Sequence, residues 1–341
     1  MRPTDLARHL TDFLGKYLPV ECGVSHNTVV TYSFTFTLLL EYMNTEEMIR
    51  PDKLVLSDIT KERVIKFLEW LEKERQCSAA TRNTRLAAIH SFFKYLQYRD
   101  VSGLLKWQEI MSVKRKKAME PEMAYLSIEG IKLLLHQPDL ETKYGRRDLV
   151  LLGLLYDSAA RVQELIDLSP SNLRFEETTT VRLCGKGKKV RIVPLSTNQV
   201  HNLKKYMEEN GLLKQENQNH PLFVNPQGKR LSRMAVLNIV KKYTGMARTV
   251  SPELIPEDLS CHSFRRSKAI HLLEADVNIV YIRDFLGHSS TTTTEIYARA
   301  SEKKKQEALS KLNPGIIKEG KSSWQKNKEL LGYLKSLQTK Y

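Results

Sequence analysis

Between Leu173 and Leu195 the spacing of apolar residues leaves the helical period that runs through most of the chain and becomes alternating. Thr180, Arg182 and Cys184 alternate with Val181 and Leu183, and Val190, Ile192 and Val193 follow a Gly185-Lys186-Gly187-Lys188 turn. Side chains of a strand repeat every two residues, and glycines allow the positive φ that a tight hairpin demands. The expected fold is therefore mainly α with a small antiparallel β-sheet. Leu6, Leu10, Phe13, Leu14 and Tyr17 predict a first helix broken at Pro19–Gly23. A second starts at Ser25 or Asn27 and runs to about Met43, although its Thr- and Val-rich start also permits a strand. A third is capped by Ser57 or Asp58 and a fourth by Ser78 or Thr81. After an aperiodic stretch, Leu104 to Pro121, Ser127 caps another helix. LVLLGLLYDSAARVQELIDL then predicts a buried helix and a second one starting near Ala159, and further helices fall near 197–209 and 231–246.

A chain of 341 residues with 41% hydrophobic and 27% charged residues supports two domains, each with its own core. The period changes place a helical domain at 1–110, a basic linker at 111–122, a mixed α+β domain at 123–314 and a tail helix at 315–341. The net charge of +15 implies an anionic partner, and the excess of lysine and arginine begins after residue 80. Cys22, Cys77, Cys184 and Cys261 form no CxxC pair, which fits a reducing, cytoplasmic compartment better than a disulfide scaffold. Leu149–Tyr156 is too short to span a bilayer, and Met1–Leu10 lacks the apolar core of a signal peptide, so no membrane partner is expected.

Chemistry-bearing residues concentrate in 261–297, CHSFRRSKAIHLLEADVNIVYIRDFLGHSSTTTTEIY. His262 and Arg265 share a helical face. Gly287 suits the residue after a second helix, which leaves His288 just past its end and Tyr297 on a short helix beyond. Arg161 emerges where Ser158, Ala159 and Ala160 give way to a helix, with Glu164 three residues on to orient it or simply to form a helical ion pair. GKGKK can be a generic anion-binding turn and lacks the spacing of a P-loop. Arg82, Arg85 and Lys94 lie on the fourth helix, and Lys114-Arg115-Lys116-Lys117 in the linker; both sets read equally as solvated surface.

H-S-F-R, then L-G-H-S-S, then a tyrosine nine residues after the second histidine, resembles the C-terminal signature of the tyrosine recombinase (phage integrase) family. A-A-R-V-Q-E-L resembles its first active-site arginine motif with an acidic buttress, and S-A-A-T-R-N-T-R-L-A-A-I-H-S-F-F-K-Y-L resembles the end of its core-binding domain. The resemblance implies a C-shaped clamp of a helical core-binding domain and a catalytic domain, closing on double-stranded DNA at specific recombination sites. It implies Tyr297 as nucleophile, Arg161 and Arg265 on the phosphate, His262 as acid or base and His288 as hydrogen-bond donor. Lys186 would protonate the leaving 5′ oxygen from the hairpin, with Lys188 and Lys189 close by. Glu164 would support Arg161. The DNA contacts would include Arg82, Arg85, Lys94, Lys114, Arg115, Lys188, Lys189 and Arg266, the last standing where family members commonly carry a second histidine.

The implied reaction makes a 3′-phosphotyrosine and a Holliday junction, with four protomers on two duplexes and C-terminal segments exchanged between them. It uses no metal, ATP or other cofactor, since arginines neutralise the phosphate. As metal ligands His262 and His288 would lack a third partner at a suitable spacing. A type IB topoisomerase uses the same chemistry, and a non-catalytic DNA-binding protein on the same fold is the alternative from another class.

Overall fold

The computed structural model describes residues 3–118, 123–185, 187, 189–288, 290–291 and 294–297. The chain divides into two compact units at residues 121 and 122. Among the described residues no helix is long and apolar enough to cross a membrane.

The first unit is helical: α1 (Asp5–Asp12), a π-helical turn (Phe13–Glu21), α2 (His26–Thr45), α3 (Lys61–Lys73), α4 (Ala79–Arg99) and α5 (Leu104–Met111). Hydroxyls of Thr4, Ser25, Thr60 and Ser78 each accept from the amide three residues on, satisfying a donor that has no partner within the helix. The Thr- and Val-rich start of α2 is thus helical. Pro19 does not break the first helical pattern: the wide π turn carries it, with Cys22 N–H bonding to the Tyr17 carbonyl. Thr60, rather than Ser57 or Asp58, caps α3, because Leu56–Asp58 form a 3-10 turn. Aromatic rings fill the centre, with Phe13 and Phe36 each 5.2 Å from Phe92 between centroids.

The aperiodic stretch after residue 104 holds a helix that the sequence did not announce. In α5, Trp107 and Ile110 are buried, Trp107 packs 5.2 Å from Phe93, and its indole N–H donates to the Asp100 carbonyl at 3.1 Å. Eight residues with two inward anchors are too few to establish a period. The basic tract behind it is tied back. Asn83 donates to the Lys116 carbonyl at 2.8 Å and accepts from the Lys116 amide at 3.0 Å, while Lys116 Nζ meets Glu72 at 2.7 Å.

The second unit packs α6 (Ile128–Leu135), α8 (Val162–Ile166), α9 (Thr197–Glu209) and α11 (Cys261–Glu274) onto α7 (Lys143–Asp157). Residues Val150 to Leu155 of α7 are buried on all sides, which explains their unbroken apolar character. The remaining helices are α10 (Arg233–Val250) and α12 (Ile279–Leu286). The sheet is antiparallel in the order β1 (Leu173–Arg174), β2 (Thr180–Cys184), β3 (Val190–Pro194). Its register sets Val181 opposite Val193 and Leu183 opposite Arg191. The predicted tail helix, 315–341, lies outside the described residues.

If α5 is part of the first core rather than linker, Trp107→Ala should destabilise that unit by about 3–5 kcal/mol. Urea denaturation followed by circular dichroism checks this, and a loss below about 1 kcal/mol would contradict the anchoring of α5 in that core.

Candidate active site

Four backbone features bring the predicted residues together. Arg161 is the N-cap of α8, and its amide donates to Glu164 Oε2 at 2.8 Å. Its guanidinium Nη1 donates to Glu164 Oε1 at 2.9 Å, while more than a third of the side chain stays open to solvent. Two residues earlier Ala159 adopts φ +48, a left-handed conformation that costs a non-glycine residue about 1–3 kcal/mol. The distortion points the Ala159 carbonyl at Arg265, whose Nη1 donates to it at 2.8 Å.

Arg265 enters from α11, a helix whose inward face is unusually polar. Ser263, Arg265 and Ser267 are all buried there, and Ser267 Oγ accepts from the Leu126 amide at 2.8 Å while donating to the Ser263 carbonyl. Arg265 is 1% exposed; its Nη2 donates to the Leu286 carbonyl at the end of α12, and its Nε–H has no partner among the described residues. Burial first, then the Arg161 and Arg191 charges, bring its pKa down to about 10, so the guanidinium remains a cation at neutral pH.

Gly287 ends α12 at φ +64, as its place in the sequence predicts, and a side chain there would press on Arg191 at 3.0 Å. His288 follows, and its Nδ1 lies 3.0 Å from the Thr294 hydroxyl. Tyr297 comes back over the same place on a short helical segment, 294–297. Its ring stacks at 6.2 Å and 23° on His288 and packs with Ala159, Ala269, Ile270, Ile282 and Leu286. Tyr297 is 5% exposed, yet it is buried within this cluster and not away from it.

The two histidines are held neutral. Burial, then Arg265, Arg161, His262 and Arg191, push His288 down to about 4. His262 also falls to about 4, through desolvation and then Arg266, Arg265 and Arg161; its open surface weakens the first cause and leaves the guanidinium charges.

Arg191 is the residue that sequence reading missed. Its Nη1 and Nη2 donate to the two oxygens of Glu164 at 3.0 and 2.7 Å, and its Nε donates to the Phe285 carbonyl at 3.0 Å. Desolvation opposes a charge on Glu164, but Arg191 and then Arg161 outweigh it and hold the carboxyl at about 2. The hairpin period contained the signal: pairing across the Gly-Lys turn sets Arg191 opposite buried Leu183, on the inner face. Gly185 completes the fit, since a Cβ there would lie 3.0 Å from Glu164 Oε1.

The wider basic set divides. Lys94, Lys114, Arg115 and Lys189 are exposed and Arg266 is half-buried. Lys186 and Lys188 lie outside the described residues. Arg82 and Arg85 correct the expectation of one open basic face on α4. Arg82 is buried, near Glu72 at 3.8 Å and the Lys114 carbonyl at 3.4 Å. Arg85 reaches α2, donating to Thr31 and Thr35 and lying 4.8 Å from the centre of the Phe34 ring. Helix packing buries Arg82 and leaves Arg85 half-buried against α2.

Residues 125–304, just over half the chain, match the phage integrase family, and residues 10–100 match the phage integrase N-terminal SAM-like domain. The chain belongs to the phage integrase family of tyrosine recombinases. Tyrosine recombinase XerD of Oceanobacillus iheyensis is 31% identical over 304 residues, 87% of this chain and 96% of that protein. The XerH site-specific recombinase bound to palindromic difH substrate superposes with a TM-score of 0.66 at 22% identity, covering 83% of this chain and 79% of that one. The Tn1549 transposon integrase in complex with transposon right end DNA gives 0.68 at 16% identity, covering 89% and 99%. These two structures share the fold. The recombinase is accordingly an enzyme of DNA strand transfer in site-specific recombination.

In the DNA-free recombinase the His288 imidazole should titrate near pH 4, and that of His262 below its ordinary value. Protonation then favours the unfolded chain, so both subtract stability as pH falls from about 6.5 towards 4. NMR of labelled histidine checks this, and a midpoint near the ordinary value of about 6.5 for either would contradict the cationic surroundings.

Proposed function

We propose that Tyr297 attacks a DNA phosphodiester held by Arg161 and Arg265, forming a 3′-phosphotyrosine and releasing a 5′ hydroxyl. The observation that carries this reading is the shared cluster. Tyr297 shares a buried apolar cluster with Ala159, whose carbonyl holds Arg265, and stacks on His288. The nucleophile and Arg265 are thus held at one buried cluster of one chain, with Arg161 two residues beyond Ala159 at the start of α8.

A phosphorane-like transition state gathers negative charge on the non-bridging oxygens, and fixed planar guanidiniums oppose it without reorganising. Arg161 offers its open end, and Arg265 the N–H that has no partner among the described residues. His262, neutral at physiological pH, takes the phenolic proton as the Tyr297 oxygen bonds to phosphorus. His288 donates to the phosphate. Lys186, assigned from its hairpin motif, gives a proton to the departing 5′ oxygen. The phosphotyrosine ester keeps the energy of the broken bond, so a 5′ hydroxyl from another strand reverses the step without ATP.

The substrate is double-stranded DNA carrying specific sites, gripped through phosphate contacts that include the exposed Lys94, Lys114, Arg115 and Lys189. Four protomers on two duplexes pass through a Holliday junction.

Incubation with a nicked cognate duplex and SDS gel electrophoresis tests the chemistry. The native recombinase should give a covalent adduct, and Tyr297→Phe none while binding is kept. Arg161→Lys or Arg265→Lys should slow adduct formation by about 10²–10³. An adduct from Tyr297→Phe would refute the assignment, and plasmid relaxation independent of any site would favour a topoisomerase.

A further inference from the structure

We infer that Arg191 is a positioning residue for strand cleavage, holding Glu164 as a carboxylate and fastening the helix end before His288 to the helix start that carries Arg161. The inference rests on the reading of Arg161 and His288 as phosphate ligands, and it concerns what keeps them in register.

Three N–H groups of one guanidinium are spoken for. Two take the two oxygens of Glu164, and the third takes the Phe285 carbonyl in the last turn of α12. The Arg191 side chain is 9% exposed, so it is committed inside the protein. It acts through its neighbours. Glu164, with 3% of its side chain exposed, accepts four bonds among the described residues, two from Arg191 and two from Arg161. β3 therefore joins α8 to α12 through a single planar fork. A lysine at this position has the charge but not the geometry, since one ammonium cannot span both oxygens and the carbonyl in that plane.

Two consequences can be separated. Without the cation, a carboxyl in so dry a place takes up a proton more readily, and a neutral Glu164 holds Arg161 less firmly. Without the bond to Phe285, the turn that presents His288 loses its tether. The first consequence depends on pH and the second does not.

The test compares the full-length wild-type protein with Arg191→Lys, Arg191→Gln, Glu164→Gln and the double variant Arg191→Gln/Glu164→Gln. Duplex binding is read by gel shift, and single-turnover cleavage of nicked duplex is followed between pH 6 and 9. Arg191→Gln should bind like wild type but cleave about 10²-fold more slowly, the cost of a misplaced reacting group. Its rate relative to wild type should rise with pH as Glu164 ionises, and that rise should be absent from the double variant, which has no carboxyl to titrate. Arg191→Lys should also lack the rise yet stay slower than wild type. Wild-type cleavage by Arg191→Gln, or a slow rate that keeps a constant ratio to wild type at every pH, overturns the inference. Should Arg191→Gln fail to fold, Arg191→Lys decides: slower cleavage with unchanged binding supports the role, and wild-type cleavage refutes it. A wild-type protein that forms no adduct would count against the Tyr297 chemistry instead.

Discussion

The catalytic unit depends on one buried carboxylate. Glu164 lies where an isolated charge would be expelled, and it stays ionised because two guanidiniums and a backbone amide converge on it. Such a set contributes little net stability over an apolar replacement. Breaking it by removing one partner, however, costs roughly 3–5 kcal/mol, because a buried charge is then left uncompensated. Its value is geometric. It fixes the start of α8, the inner face of β3 and the end of α12 at one point, and these elements carry Arg161, Arg191 and His288.

Main-chain carbonyls do the corresponding work for Arg265. Ala159, forced to positive φ, and Leu286, the last residue of α12, both turn carbonyls onto the buried guanidinium. Carbonyl dipoles orient the cation without neutralising it, as a paired carboxylate would. Burial together with the field of Arg161 and Arg265 keeps two nearby imidazoles in their neutral form, with Arg266 adding to it at His262 and Arg191 at His288. A bound phosphodiester would relieve that field, so substrate and protonation state are linked through charge.

Much of this was legible in the sequence, for reasons that differ from residue to residue. Ser25, Ser78 and Ser127 announced helix starts because a hydroxyl before an apolar period has a defined local use. Gly287 announced a helix end because it alone tolerates that backbone cheaply, and His288 followed from it. The hairpin was legible in its period of two. What escaped was tertiary. Trp107 and Ile110 anchor a helix too short to show a period. Arg191 looks like one more surface cation until the strand register is worked through, and Arg82 and Arg85 look free until α2 and Glu72 are placed beside them. Nothing in the composition of Ser158-Ala159-Ala160 signals a left-handed alanine, because the distortion is imposed by what its carbonyl must reach.

The family's chemistry asks for a phenol brought to a phosphate among guanidiniums, and the short segment 294–297 lays Tyr297 against the cluster where Arg265 is held. The most direct measurement is peptide mapping of the covalent complex: trap the protein on nicked duplex, digest both components, and locate the nucleotide by mass spectrometry. The account predicts a 3′-linked nucleotide on the peptide containing Tyr297 and on no other. A nucleotide on a different tyrosine, or a 5′ linkage, would contradict it.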